Sequence, residues 1–150
     1  MQLEESALGS EIRTQVTQSN FRGCWFRVAK EPVYTGVAMN CLFCKIIEGT
    51  IPSTPVYQDE LVYAFADINP KAPVHVLVVP REHLGSLDDA SADKRELLGH
   101  LLWAAAEIAQ QKNLGKGYRV VVNTGEDGGQ SVDHLHAHLL GGRALSWPPG

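Results

Sequence analysis

The pattern of hydrophobic and polar positions changes near residue 40, which divides the chain into two parts. Residues 1–40 keep neither a helical nor a strand period for long, and they mix polar stretches with isolated aromatic side chains. From Cys41 onward every segment has a clear period, which predicts an N-terminal extension over residues 1–40 and one domain over residues 41–150. Either Met39 is the natural start and an over-long gene model supplies the residues before it, or the extension is genuine. We favour the over-long start, which a native mass matching all 150 residues would exclude.

The pattern of the domain predicts two helices and five short strands. A short helix from Cys41 to Glu48 is ended by Gly49. The predicted strands cover residues 56–59 and 61–66 as a hairpin, followed by 74–79, 118–122 and 132–140. Because most of these strands are joined by short turns, we expect an antiparallel sheet of about five strands with the helices on one side, in the α+β class.

The longer helix is predicted over about residues 91–113. Ser91 is expected to cap its start, and Gly115 follows its end. Apolar side chains recur at spacings of three and four, which predicts one buried face. The positions on that face are Leu97, Leu98, Leu101, Leu102, Ala105, Ile108 and Ala109.

Composition narrows the class of protein. The chain has 150 residues, 44% hydrophobic and 20% charged, which is typical of one globular domain. A net charge of -4 argues against binding to nucleic acid or to a membrane surface, because both need a basic patch. The sequence shows no secretory signal and no membrane-spanning run, so we expect a cytoplasmic protein. In that compartment the C-x-x-C pair formed by Cys41 and Cys44 indicates metal or redox chemistry rather than a structural disulfide.

Three of the six histidines occupy alternating positions of the last predicted strand. Successive side chains of a strand point to opposite faces, so His134, His136 and His138 are predicted to share one face and to line a surface cleft. Leu135, Ala137 and Leu139 would pack into the core from the other face. A lone histidine is usually structural, but three in this register favour a functional site.

Two chemistries fit the triplet. One is metal binding, although the outer histidines would lie ~13 Å apart on a straight strand and could not share one ion without a bend. The other is nucleophilic catalysis, in which the middle imidazole attacks phosphorus and its neighbours manage protons. The preceding loop favours the second. Gly128 and Gly129 would let backbone N–H groups approach an anion, and Gln130 and Ser131 would add donors to phosphate oxygens.

These residues resemble the histidine-triad family. The stretch from His134 to Leu140 matches its H-x-H-x-H-x-x pattern, and the match extends over about residues 41–150. The sequences Gly128-Gly129-Gln130-Ser131 and Trp147-Pro148-Pro149-Gly150 look like the Hint branch, the nucleoside phosphoramidases. The resemblance therefore implies a two-fold dimer that hydrolyses purine nucleoside 5'-phosphoramidates and needs no catalytic cofactor.

The resemblance also implies the role of each site residue. His136 would be the nucleophile, His138 would help to protonate the leaving amine, and His134 and His75 would orient the cluster or relay protons. Asp67 would accept the ribose hydroxyls, although without the resemblance a turn-initiating Asp would be the first interpretation. Asn123 would steady the loop, and Trp147 would reach the pocket across the dimer interface. The purine slot would be formed by Phe43, Ile46, Phe65 and Ile68, which otherwise look like ordinary core.

The cysteine pair departs from many Hint members. C-x-x-C supplies half of a tetrahedral zinc site. Bacterial relatives that carry the pair imply a structural site built from Cys41, Cys44, His83 and His134, which would commit His134 to metal. The alternative is a pair of buried thiols in a short helix.

Three other functions stay open at this point. The same nucleophile would serve a dinucleoside polyphosphate hydrolase with different pocket walls. A nucleotide-sensing adaptor with residual catalysis would bind its partner independently of His136. A pure zinc-binding module would leave the glycine loop unexplained.

Overall fold

The computed structural model describes residues 40–149. Apart from Asn40, the predicted extension over residues 1–40 lies outside them. The described elements are the helices α1 (Leu42–Ile47) and α2 (Arg95–Gln111) and the strands β1 (Pro55–Gln58), β2 (Val62–Ala66), β3 (Val74–Pro80), β4 (Tyr118–Val122) and β5 (Ala137–Gly141), with 3-10 turns at Leu87–Asp89 and Ala92–Lys94. None of the helices within 40–149 is long and apolar enough to cross a membrane.

The five strands form one antiparallel sheet in the order β1-β2-β3-β5-β4. This confirms the predicted α+β fold, with one long and one short helix. β5 pairs with both β3 and β4, so His138 lies opposite Leu77 on one side and Val121 on the other. The central position of β5 places the end of the histidine motif between two strands, where the backbone is held firmly from both sides.

The helices cover opposite faces of the sheet, so the prediction of helices on one side is wrong. α2 packs on the even-numbered side chains of β2 and β3, such as Ala64 and Val78. α1 packs on the odd-numbered ones, such as Phe65 and Val79. Because both faces of the sheet are buried, β3 is an almost continuous run of apolar residues. Its hydrophobic pattern therefore does not show which side chains face which helix.

The ends of α2 differ from the predicted caps. Ser91 does not cap a backbone N–H, because its hydroxyl bonds the Asp93 carboxylate and a 3-10 turn precedes the helix. At the other end Asn113, with φ of +57°, takes the left-handed conformation that was expected after the helix at Gly115. Asn tolerates this conformation better than most side chains, so the helix ends there.

The buried face of α2 is also rotated slightly from the predicted one. Leu102 is 53% exposed, whereas Ala104 is fully buried. Ala104 stands three residues after Leu101 and four before Ile108, which places it at the centre of the face. Leu102 and the neighbouring Trp103, which is 52% exposed, form an apolar patch on the outer surface of the helix.

Candidate functional site

The last strand is shorter than predicted, and this changes the arrangement of the histidine triplet. β5 begins at Ala137, so His134 and His136 lie in the irregular segment that leads into it. The apolar set still packs into the core against α2, as expected. The imidazoles, however, do not line an open cleft, since His134 is 0% and His136 is 2% exposed.

The bend places His136 over the backbone of His134. His136 Nδ1 lies 2.6 Å from the carbonyl oxygen of His134. A carbonyl oxygen only accepts hydrogen bonds, so Nδ1 carries the proton and Nε2 keeps its lone pair. This bond fixes the tautomer that a nucleophilic imidazole requires. Phe43 meets the His136 ring edge to face at 5.2 Å between centroids and restricts its orientation.

A second pair of histidines forms a hydrogen-bonded chain beside His136. The N–H of Lys71 donates to His75 Nδ1 at 3.2 Å, which leaves the proton of a neutral His75 on Nε2. That Nε2–H points at His138 Nδ1, 2.9 Å away. His138 therefore carries its own proton on Nε2, the nitrogen at the free end of the chain. We call the Lys71 N–H, His75 and His138 the relay.

The relay borders His136 and a carboxylate. The His136 and His138 rings stand 4.9 Å apart between centroids. Asp67 Oδ2 lies 3.4 Å from His75 Nε2, while its Oδ1 accepts the N–H of Asn69 at 2.7 Å. The second bond is the turn that a turn-initiating Asp makes, so Asp67 initiates the turn and also faces the relay.

Burial keeps the relay neutral. It lowers the pKa of His75, with Asp67 acting in the opposite direction and Lys71 adding to the lowering. Burial, with the neighbouring His136 and His75 adding to its effect and Asp67 opposing it, lowers the pKa of His138 to about 4. At neutral pH both rings are uncharged, as the hydrogen-bond chain requires.

The imidazole of His134 points away from these groups and into a cluster with Cys41, Cys44 and His83, which we call the tetrad. One ligand atom of each lies within 4.8 Å of all the others. The separations are 3.4 Å from Cys41 Sγ to His134 Nδ1, 3.4 Å from Cys44 Sγ to His83 Nδ1, 3.6 Å from Cys44 Sγ to His134 Nδ1 and 3.3 Å between the two Nδ1 atoms.

These separations fit a tetrahedral ion. Zinc–sulfur bonds of ~2.3 Å and zinc–nitrogen bonds of ~2.0–2.1 Å put neighbouring ligand atoms ~3.3–3.8 Å apart. His134 Nε2 lies 2.9 Å from the carbonyl oxygen of Pro80, so it carries the proton and Nδ1 presents a lone pair to the centre of the tetrad. Burial raises the pKa of Cys44 to about 12, with Cys41 adding to the rise, so a cation is needed to ionise the thiol here.

Asp67, His75 and His138 also bring three ligand atoms within 4.8 Å. Their hydrogen bonds do not suit a metal. Because His75 Nδ1 accepts the Lys71 N–H, an ion on Nε2 would require an imidazolate or the loss of that bond. The hydrogen bonds of the tetrad therefore suit a metal ion, whereas those of Asp67, His75 and His138 do not.

The glycine loop is present, but its donors are arranged differently from the prediction. The N–H groups of Gly129 and Gln130 bond within the loop, to Glu126 and Gly125. The Gln130 amide bonds the carbonyls of Gly85 and Val132 and the N–H of Gly125, so both its oxygen and its nitrogen hold the loop. Within residues 40–149 the Ser131 hydroxyl and N–H bond no protein group.

Two glycines and one amide shape the loop. A Cβ on Gly128 would lie 2.2 Å from the carbonyl oxygen of Thr124, so only glycine fits there. Gly129 has φ of +75°, a conformation that favours glycine. Asn123 Nδ2 donates to the Gly129 carbonyl at 3.4 Å and ties the loop to the end of β4.

The residues assigned to a purine slot are divided between core and surface. Phe43, Ile46 and Phe65 are buried in the apolar cluster under α1. Ile68 is 101% exposed and Trp147 is 83% exposed within this chain. Of the apolar set, the structure brings Phe43 against the histidines.

Sequence reasoning missed two groups that organise the site, the carbonyl of Pro80 and the N–H of Lys71. Both are backbone groups, which leave no signal in a side-chain pattern. Outside the site, His100 lies on the long helix in no sequence motif, which by itself would make it a plain surface or interface residue. Its Nε2 instead lies 2.7 Å from Asp59 Oδ2 and its side chain is 26% exposed, against the α2 face of the sheet.

Comparison with known proteins places these features in a family context. The family model described as HIT domain matches residues 48–145. A 14 kDa zinc-binding protein of Zea mays is 54% identical over 111 residues, which cover 73% of this chain and 87% of that protein. A HIT family hydrolase from Legionella pneumophila superposes with a TM-score of 0.73 at 49% identity, covering 74% of this chain and all of that one. A histidine triad nucleotide-binding protein from Candida albicans gives 0.62 at 34%, covering 72% and 82%.

Proposed function

This chain belongs to the HIT domain family, and we propose that it is a nucleotide-binding hydrolase of the Hint branch that cleaves purine nucleoside 5'-phosphoramidates. One observation carries the proposal: the bond from His136 Nδ1 to the His134 carbonyl leaves Nε2 as a free nucleophile beside the proton-bearing end of the relay. The names of the Legionella and Candida structures, a hydrolase and a nucleotide-binding protein, support the class.

The reaction proceeds in two displacements. The lone pair of His136 Nε2 forms a bond to phosphorus while the phosphorus–nitrogen bond of the substrate breaks, and the leaving amine takes a proton from His138 Nε2. Water then attacks phosphorus, the bond to His136 breaks and the nucleoside monophosphate is released, while a proton from the water returns to His138. The nucleophile needs no base, because its Nε2 is already unprotonated.

The leaving amine requires His138 as an imidazolium, which burial disfavours in the free protein. Its second proton lies on Nδ1, so the Nε2–H of His75 would then turn to Asp67 Oδ2, 3.4 Å away. A phosphate anion beside His138 would raise its pKa, so substrate binding and protonation are coupled. Asp67 supports the same change, because its carboxylate opposes the lowering of the pKa of both relay histidines. The N–H and hydroxyl of Ser131 would bind the phosphate oxygens.

The tetrad is proposed to hold a structural zinc ion, bound by Cys41, Cys44, His83 and His134. Its ligand separations support this, as does the name of the Zea mays relative. The ion would fix α1 to the segment before β5. His134 then serves zinc with its ring and His136 with its carbonyl, so it takes no part in proton transfer.

We also propose the two-fold dimer. β4 is an edge strand of the sheet, and Leu102 and Trp103 expose an apolar patch on α2. Trp147 would then reach the site of the partner subunit. Light scattering of the full chain and of a Trp103→Glu variant tests this, and an unchanged mass in the variant would exclude the patch as the interface.

A turnover panel tests the activity. AMP and GMP amidates and dinucleoside polyphosphates are compared, and the intermediate is trapped at low pH and located by mass spectrometry. We expect the amidates to be turned over and the nucleotidyl group to lie on His136. His136→Ala should abolish turnover while AMP still binds, and His100→Gln, on the other face of the sheet, is the matched control. Faster hydrolysis of the polyphosphates, or near-native turnover by His136→Ala, would contradict the proposal.

A further inference from the structure

We propose that Arg143 is a positioning residue for the relay and that it acts through the backbone of Lys71. The inference rests on the proposed function for its catalytic consequence, but its structural part can be tested without any substrate. Arg143 follows β5, is exposed, and donates hydrogen bonds to the carbonyls of Lys71 and Ala144.

The first step is a pair of contacts on one residue. Arg143 Nη2 donates to the carbonyl oxygen of Lys71 at 3.1 Å, across 72 positions of sequence. The N–H of the same Lys71 donates to His75 Nδ1 at 3.2 Å. Peptide planes are rigid, so only φ and ψ of Lys71 lie between the clamped carbonyl and the donating N–H. Arg143 therefore restricts the direction in which that N–H points.

The segment around Arg143 also contacts the residues just before β3 at other points. Arg143 Nη1 donates to the carbonyl of Ala144 at 2.9 Å, which fixes the guanidinium itself. Gly142 has φ of +85°, and a Cβ there would lie 3.0 Å from Pro73 Cβ. The two chain segments are thus in close contact, and the guanidinium spans them just past the end of β5.

The direction of the Lys71 N–H determines the polarity of the relay. With Nδ1 occupied, His75 keeps its proton on Nε2 and His138 keeps its proton on the nitrogen at the free end. Without the N–H, the tautomer of His75 with the proton on Nδ1 becomes accessible, and His138 must then donate back to it. In that state a neutral His138 presents a lone pair at its free nitrogen, so the proton for the leaving amine must first be taken up there.

The experiment reads the tautomer directly. Long-range proton–nitrogen NMR spectra of the full chain compare the native protein with Arg143→Gln. Arg95→Gln is the control, because Arg95 also donates to a backbone carbonyl, that of Ala92, but away from the site. We expect a single Nε2–H tautomer of His75 in the native protein and in the control, and a mixture in Arg143→Gln. An unchanged tautomer in Arg143→Gln would overturn the inference.

Kinetics supply the second readout. With AMP amidate, Arg143→Gln should lower kcat on the order of 10-fold, part of the ~10²–10⁴ that general acid catalysis supplies, with KM within about twofold of native. Arg143→Lys keeps the positive charge but not the planar guanidinium, so it should restore only part of kcat. Full restoration would mean that charge alone matters and would overturn the geometric role.

Gly142→Ala disturbs the same turn from the other side and should also mix the tautomers of His75, so an unmixed spectrum in this variant would contradict the inference. If the native protein turned over no amidate, the proposed function would fail, while the NMR comparison would still decide the role of Arg143.

Discussion

The tetrad and the relay lie on the same face of the sheet and are built from the same side chain, yet they are suited to opposite tasks. In the tetrad, the Nδ1 atoms of His83 and His134 converge with two thiol sulfurs around one point. In the relay, every ring nitrogen between Lys71 and the end of His138 has a partner of assigned polarity.

The difference lies in what the second nitrogen of each histidine contacts. His134 Nε2 donates to a carbonyl, which turns a lone pair inward and suits a metal. His75 Nδ1 accepts an N–H, which turns a proton inward and suits proton transfer. The backbone partner of each histidine thus decides whether the ring presents a lone pair or a proton to its cluster. The segment from His134 to His136 joins the two clusters.

The largest expected effect comes from breaking the tetrad. Cys44→Ser should lose stoichiometric zinc and destabilise the fold by roughly 3 kcal/mol or more, because metal binding at a buried site adds to the free energy of folding. Elemental analysis and denaturant unfolding measure this. His75→Gln, in the relay, should keep its zinc. A native protein without zinc after metal-replete purification would remove the zinc proposal.

Breaking the relay should affect turnover and leave metal content unchanged. His138→Gln removes the proton donor but keeps a polar side chain of similar length, so kcat should fall by ~10²–10⁴. Steady-state kinetics and elemental analysis of the same preparation separate the two sites. If kcat and zinc content fell together, the distinction between tetrad and relay would be wrong.

A smaller effect concerns protonation of the relay. The pKa of His138 is lowered to about 4 in the free protein, and a bound phosphate would raise it. AMP should therefore bind more tightly as the pH falls from 7 towards 5, by at most about 10-fold per pH unit, with uptake of a proton. Calorimetry in two buffers of different ionisation enthalpy measures that uptake. A flat profile in the native protein, or the same profile in His138→Gln, would contradict the coupling.

The smallest expected effect concerns Asp59, which lies outside both sites and bonds His100. Asp59 bonds His100, Tyr57 and two backbone N–H groups. Although burial raises the pKa of Asp59, the N–H of Val62, then His100, Leu61 and Tyr57 together lower it to about 2. The stabilisation is present above the usual pKa of 3.8 and is lost as the pH falls towards 2.

Asp59→Asn should therefore cost about 1–2 kcal/mol of unfolding free energy at pH 7 and about half of that near pH 3, with unchanged kcat and zinc content. Urea unfolding at the two pH values measures the difference. A cost that is equal at both would mean that the charge of Asp59 is not the cause.

The sequence by itself determined the class of fold, because five short apolar segments and one long helical period leave few arrangements. It also identified the residues of both clusters. The spacing of Cys41 and Cys44 and the alternation of His134, His136 and His138 are local signals, and the family resemblance added His75 and His83.

The tertiary structure alone decided how those residues divide. β5 begins only at Ala137, and the bend before it sends the ring of His134 to the tetrad and its carbonyl to His136. Sequence patterns carry no signal for a carbonyl such as that of Pro80 or an N–H such as that of Lys71, since every residue offers them. Which backbone group meets which ring nitrogen depends on the packing of distant segments, and that packing decides which histidine is placed to bind a metal, which to attack and which to transfer a proton.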